Sequence, residues 1–252
     1  MSQASLPISI FIITKNEAQN IGRLLSSLKE FNEIIVVDSG STDETVSIAK
    51  QHGATVIHQD WLGYSKQKQF AMEQCNNPWV MNLDADEVLP KALYNAIVQS
   101  IKEPTIHAVR FLRIDYFMDK PMPKSLSLPK NIRLYRKESA QFDNQCLVHE
   151  SASIAGKTKL IKTPFIHYGY NDLKIFTDKL NHYSSLKALE KFKRGKKPSF
   201  LKILLILPFE FLRKLILQRY VLFGWRGCIL AALNGNYAFM KEIKLLQLHL
   251  KK

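Results

Sequence analysis

The 252 residues predict an α/β fold: a mixed sheet flanked by helices, followed by a helical, basic extension. Three observations carry this. Short apolar, β-branched runs alternate with stretches of helical periodicity over roughly the first 90 residues, as parallel βαβ units do. Extended segments then replace that rhythm near residues 108–116 and 132–135, which predicts mixed or antiparallel strands closing one side of a site. From Asp172 onward the pattern is helical, with breaks at 195–198 and 224–227.

Residues 8–13 (ISIFII) are continuously apolar, the mark of a strand buried on both faces. Asn16 is placed to cap a helix running to about Glu30, with Ile21, Leu24, Leu25 and Leu28 at helical spacing. Residues 34–37 form a second buried strand that ends in Asp-Ser-Gly-Ser-Thr-Asp, a turn with built-in caps, and a helix follows to about His52. A third strand is expected at 55–58, a helix at about 66–75, a fourth strand at 79–83 and a helix at about 90–101. This divides the chain into an α/β domain over 1–170 and a helical extension over 171–252.

Apolar residues make up 46% and charged residues 23%, so the chain is neither disordered nor low-complexity. Three widely spaced cysteines (Cys75, Cys146, Cys228) suit neither a disulfide framework nor a zinc site and point to a reducing compartment. No signal peptide and no uninterrupted spanning segment is read. The charge is uneven. Residues 1–155 hold 16 Lys and Arg against 17 Asp and Glu, whereas 156–252 hold 20 against 5. A neutral body with a strongly basic appendage implies an anionic partner or a Lys-rich solvated helix face. Within the appendage, 200–217 (FLKILLILPFEFLRKLIL) is apolar but interrupted by charges and kinked at Pro208. Such a segment lies in a membrane interface plane or packs as a helix on the body.

In open α/β sheets, ligands bind beyond the C-terminal ends of the strands. Asp38 is expected at one such end, and Asp84 and Asp86 just past another. Three carboxylates on one edge repel unless a cation or ligand hydroxyls use them. Asp84 and Asp86, two apart in an extended segment, project to one side. Hard oxygen donors suit Mg²⁺ or Mn²⁺, with substrate phosphates completing the shell.

Thr14-Lys15-Asn16-Glu17, Val37-Asp38-Ser39-Gly40-Ser41-Thr42-Asp43 and Leu83-Asp84-Ala85-Asp86-Glu87 together resemble the family 2 glycosyltransferases of the GT-A fold. The resemblance continues through 63–71 (GYSKQKQFA), Val148-His149-Glu150 and Phe165-Ile166-His167-Tyr168. It is strongest to bacterial enzymes that add a β-glucose to the inner-core heptose of lipopolysaccharide or lipooligosaccharide.

The resemblance implies an inverting, metal-dependent transfer from UDP-glucose. Thr14, Glu17 and Asp38 match the positions that hold the nucleotide base and ribose, although Asp38 also fits an Asx-turn. Lys66 and Lys68 match basic positions near the donor diphosphate, or else line a solvated helix face. Asp86, alone or with Asp84, would hold the metal, and Asp84 equally matches a ribose contact. His167 matches a downstream metal ligand of some relatives. Glu150 matches the base that takes the acceptor proton, with the adjacent His149 as its rival. The implied partners are a nucleotide-sugar donor, a lipid-anchored oligosaccharide acceptor and an anionic membrane surface, with no nucleic acid. The implied place is the cytoplasmic face of the inner membrane. A second class stays open on composition alone: a nucleic-acid-binding or nucleotidyl-transfer protein using the basic C-terminal region.

Overall fold

A computed structural model of the chain describes residues 6–124, 126, 128–142 and 152–251. The first half builds β1 (Ile8–Thr14), α1 (Ala18–Ser26), β2 (Glu33–Asp38), α2 (Thr45–Gln51), β3 (Thr55–His58), α3 (Tyr64–Glu73) and β4 (Trp79–Asn82). Then come β5 (Glu87–Val88), a 3₁₀ turn at Lys91–Leu93, α4 (Tyr94–Ile101), β6 (Ile106–Phe117), β7 (Lys120–Pro121) and β8 (Lys130–Arg136). The short strands β9 (Ala140–Gln141) and β10 (Ser153–Ile154) pair with each other, and β11 (Lys157–Tyr170) follows. The rest is helical: α5 (Leu173–Lys193), α6 (Phe200–Leu212), a π turn at Arg213–Leu217, a 3₁₀ turn at Tyr220–Phe223 and α7 (Trp225–Leu250).

The main sheet runs β3-β2-β1-β4-β8-β6-β11-β5, with β7 paired to β6. The first four strands are parallel and β8 is antiparallel to both β4 and β6, so the sheet is mixed as expected. Its curl follows from connectivity. β5 stands four places from β4 in the strand order, about 19 Å away if the sheet were flat. The chain from Asn82 to Glu87 reaches about 18 Å only if fully extended, and it turns instead, with the Glu87 amide donating to the Asp84 carbonyl. The far end of the sheet therefore bends back toward its centre.

The apolar runs are explained by burial on both faces. Ile8, Ile10, Ile12, Ile34 and Val36 pack against Ile21 and Leu24 from α1, Leu28 just after it, and Leu93 and Ile97 beside and within α4. Phe11, Ile35, Val37 and Val80 pack on the opposite side with Ala71, Met72 and Cys75. Burial, first, and the nearby Glu33 carboxylate push the Cys75 thiol up to about 12, so it packs as a small apolar group.

One expectation is corrected here. Asn16 does not cap α1. Its φ is +55°, and its side-chain oxygen accepts the Thr42 amide at 2.8 Å, so it ties two loops together. Pro208 lies inside α6, as the reading of a kinked segment allows. α6 runs through it and widens into the π turn at Arg213, where ladder mismatch is absorbed.

The chain divides into two compact units. One takes the residues up to Ile114 together with Pro129–Tyr168, and the other takes Asp115–Leu128 with the chain from Gly169. In the second unit Phe117, Phe176 and Leu230 form a separate small core. There α7 approaches the turn before it closely: a Cβ added to Gly227 would sit 1.8 Å from the Tyr220 carbonyl oxygen. Gly227→Ala is expected to destabilise this unit by about 1–3 kcal/mol through overpacking. Thermal unfolding checks it, and an unchanged midpoint would mean that the turn yields freely.

Candidate active site

The C-terminal ends of β1, β2 and β4 lie side by side, and the motifs that begin at Thr14, Val37 and Leu83 sit on them. Thr14 and Asp38 are register partners at the ends of β1 and β2, both buried, and the Ser39 amide donates to the Thr14 carbonyl at 3.0 Å. The Thr14 hydroxyl oxygen is buried with no hydrogen-bond partner among the described residues. A buried polar atom of this kind costs stability unless a ligand uses it.

Asp38 makes the expected Asx-turn. Oδ2 accepts the amides of Gly40 and Ser41, each at 2.9 Å, and Oδ1 accepts the Ser41 hydroxyl. Gly40 has a φ of +82°, a left-handed conformation that the turn requires and glycine supplies without strain. A carboxylate offers about four acceptor sites, so roughly one is left for a ligand N–H or O–H. Glu17 opens α1, and its carboxylate accepts the Asn20 side-chain amide at 2.9 Å. Asp43 anchors the loop to α1 by accepting the Ala18 amide at 3.1 Å. Gln67 of α3 braces the loop from beneath, donating to Ser39 Oγ at 3.0 Å and to the Gln59 carbonyl at 3.1 Å.

The two lysines separate. Lys68 is buried, and its Nζ donates to Asp84 Oδ1 at 3.2 Å. Lys66 is exposed, two residues back on the same helix and so about 200° around it.

The Asp pair also divides. Asp84 is gripped by two cations, Lys68 on Oδ1 and Arg133 Nη2 on Oδ2 at 2.6 Å. Burial works to raise its pKa, but Arg133 and then Lys68 outweigh that and hold it well below the usual carboxylate range. Asp86 turns the other way, toward the far end of the sheet. Its Oδ2 lies 3.5 Å from His167 Nε2, and both residues are buried. β5 makes this meeting possible: it pairs antiparallel with β11 and sets Glu87 opposite His167.

Arg133 and Glu87 were not assigned a role from sequence. Arg133, on β8, is buried and donates to Asn82 Oδ1 at 3.3 Å, to Asp84 and to Glu87. Burial would lower the pKa of its guanidinium, but the carboxylates of Asp84 and Glu87 raise it further, so it stays cationic. Burial pushes Glu87 up, to about 7, against the pull of Arg133 and with Asp84 adding to the rise. The available signal was a single arginine inside the otherwise buried strand 132–135, which demands a buried anion.

His149 and Glu150 lie outside the described residues.

Lys68 and Arg133 hold Asp84, and Arg133 also holds Glu87, while the Asp86 carboxylate stands beside His167. Asp86 and His167 supply oxygen and imidazole nitrogen, a donor set compatible with Mn²⁺ or Mg²⁺. No group of three or more His, Cys, Asp or Glu side chains spaced to hold a metal is present among the described residues. Substrate phosphates and water commonly complete the shell of such an ion.

Comparison with known proteins agrees with this geometry. A family model described as glycosyl transferase family 2 matches residues 9–162. An uncharacterised glycosyltransferase of Rickettsia typhi is 38% identical over 97% of this chain and 88% of its own length. The chain belongs to glycosyltransferase family 2. A lipopolysaccharide core biosynthesis glycosyltransferase, LpsC of Rhizobium meliloti, is 34% identical over 98% of this chain and 94% of its own. Among solved structures, the mannosyltransferase PcManGT of Pyrobaculum calidifontis, in complex with GDP-mannose and Mn²⁺, matches 97% of this chain and 90% of its own. Its TM-score is 0.60 at 13% identity, a likeness of fold. The family decides between the two classes left open by composition: the enzyme is a glycosyltransferase, and its fold is the expected mixed sheet with flanking helices and a helical C-terminal region.

Proposed function

We propose that this glycosyltransferase moves glucose from UDP-glucose, with inversion, to a heptose of a lipid-anchored lipopolysaccharide or lipooligosaccharide core, at the cytoplasmic face of the inner membrane. The observation that carries the reading is the division of labour at the Asp pair. Asp84 is locked by Lys68 and Arg133, while Asp86 stands with His167 at 3.5 Å. Asp86 and His167 would hold Mg²⁺ or Mn²⁺, and the ion would neutralise charge building on the departing diphosphate. Thr14 offers an otherwise unmatched hydroxyl, and Asp38 roughly one acceptor site, to the uridine. The choice of core heptose as acceptor is supported by the resemblance and by the likeness to LpsC over nearly the whole chain.

The acceptor hydroxyl must lose a proton as it attacks. Glu150 takes it, with His149 as the rival. Glu150→Gln is expected to lower kcat at least about a hundredfold while leaving UDP affinity unchanged, because a base acts on the chemical step. Unchanged turnover, or lost UDP binding, contradicts the assignment. A dead His149→Ala beside an active Glu150→Gln swaps the two.

The reading as a whole is tested by offering a panel of UDP-sugars, with Mn²⁺ or with chelator, and a deacylated core oligosaccharide. Mass spectrometry should show one added hexose from UDP-glucose, and only with metal. Transfer from a different nucleotide-sugar, or equal transfer in chelator, overturns it.

A further inference from the structure

The least expected feature of the second unit is what it leaves uncovered. α6 has no buried residue. Phe200, Leu201, Leu204, Leu205, Phe209 and Leu212 are exposed, Phe200 by 80%, and the apolar exposure continues through Leu217, Leu222 and Trp225. α6 touches α7 along one edge, where a Cβ added to Gly235 would stand 3.0 Å from the Leu207 carbonyl. A run this apolar and this open is far beyond the scattered surface leucines of ordinary proteins.

Charge indicates what covers it. Residues 193–226 contain nine Lys and Arg and one acid, Glu210. Glu210 is already paired with Arg213 at 2.6 Å. Some bases nearby are committed internally: Lys191 and Lys202 bond the buried Glu242, and Lys244 donates to Asn181, Ser184 and Ser185. Lys193, Lys196, Lys197 and Arg219 are exposed at the two ends of the apolar run. Arg226 lies 4.3 Å over the Trp225 ring, a pairing of amphipathic groups suited to a headgroup layer. A second copy of the chain would bring the same excess of positive charge against its own kind, so the surface repels itself. Crossing a bilayer is excluded for α6: its 13 residues span about 20 Å, against about 30 Å of hydrocarbon. No helix among the described residues is long and apolar enough to cross.

We propose that α6 and the two turns after it form an interfacial docking face, with the apolar side chains at the acyl boundary of an anionic phospholipid bilayer and Lys193, Lys196, Lys197 and Arg219 on its phosphates. This deepens the reading above, on which it rests for the acceptor's lipid anchor, and its test uses no acceptor. The face binds in two ways that respond differently to salt. The lysines act over a Debye length, about 10 Å at 0.1 M salt and about 3 Å at 1 M. The inserted side chains hold irrespective of salt.

The full chain is sedimented with vesicles of phosphatidylcholine alone or mixed with phosphatidylglycerol, at low and high salt, and UDP affinity is measured in parallel. Wild type should partition at least about tenfold more strongly onto the anionic vesicles at low salt and keep a measurable bound fraction at high salt. Leu201→Ser/Leu204→Ser should lose the salt-resistant fraction, and Lys196→Glu/Lys197→Glu the salt-sensitive one. Both keep UDP affinity, because neither pair is part of the sheet-edge site. If the serine variant fails to fold, the charge-reversal variant, confined to an exposed turn, still decides. Equal partition of wild type onto both vesicles, variants that bind like wild type, or a stable wild-type dimer that the serine variant dissociates would overturn the proposal. Normal vesicle binding beside absent sugar transfer would count against the proposed function alone.

Discussion

Asp86→Ala is expected to reduce sugar transfer at least about a thousandfold, roughly 4 kcal/mol of barrier. Asp86 stands at 3.5 Å from His167, and on the proposed reading its loss removes the principal oxygen donor for a divalent ion. Leaving-group charge would then develop against the remaining carboxylates without compensation. The fold should survive. Removing one negative charge beside Glu87 relieves a repulsion, because Asp86 is among the groups that raise the Glu87 carboxyl. Steady-state transfer with saturating Mn²⁺, together with a thermal unfolding curve, checks both halves. Activity within about tenfold of wild type, or 1.4 kcal/mol, would remove Asp86 from the mechanism.

Arg133→Met should instead strike stability, by about 3–5 kcal/mol, because it leaves buried carboxylates without their partner. Arg133 serves Asn82, Asp84 and Glu87 at once, and Glu87 is fully buried. Methionine replaces the side-chain volume and none of the charge. Denaturant unfolding measures the loss, and Arg133→Met/Glu87→Gln should recover part of it, since the orphaned charge is then gone. A loss below about 1 kcal/mol, the range of exposed pairs, would mean that water reaches the cluster and that the clamp is not what fixes Asp84.

Which parts of this were legible in the sequence follows from how local each signal is. β1, β2 and β4 were readable within a residue or two because a strand buried on both faces must be a continuous apolar run. The strand-end positions of Asp38 and Asp84 were readable because each closely follows an apolar run. Asn16 was not. Its left-handed backbone is stabilised by Thr42, 26 residues away, and a distant partner leaves no local trace. Arg133 was visible as an oddity in a buried strand, but its carboxylates lie 46 and 49 residues off in the chain. The grouping of Asp115–Leu128 with the C-terminal helices was equally hidden, since it depends on where the long strand β6 ends. Hydropathy left residues 200–217 as either an interfacial segment or a helix packed on the body, and the exposure of α6, which has no buried residue, could not be read from sequence.

Calorimetric titration of UDP tests the central claim most directly, that Asp86 and His167 join a divalent ion to the donor diphosphate. In wild type, Mn²⁺ should tighten UDP at least about tenfold relative to chelator, a difference of about 1.4 kcal/mol. In Asp86→Ala the two titrations should coincide. Equal UDP affinity in Mn²⁺ and in chelator for the wild-type protein would contradict the account.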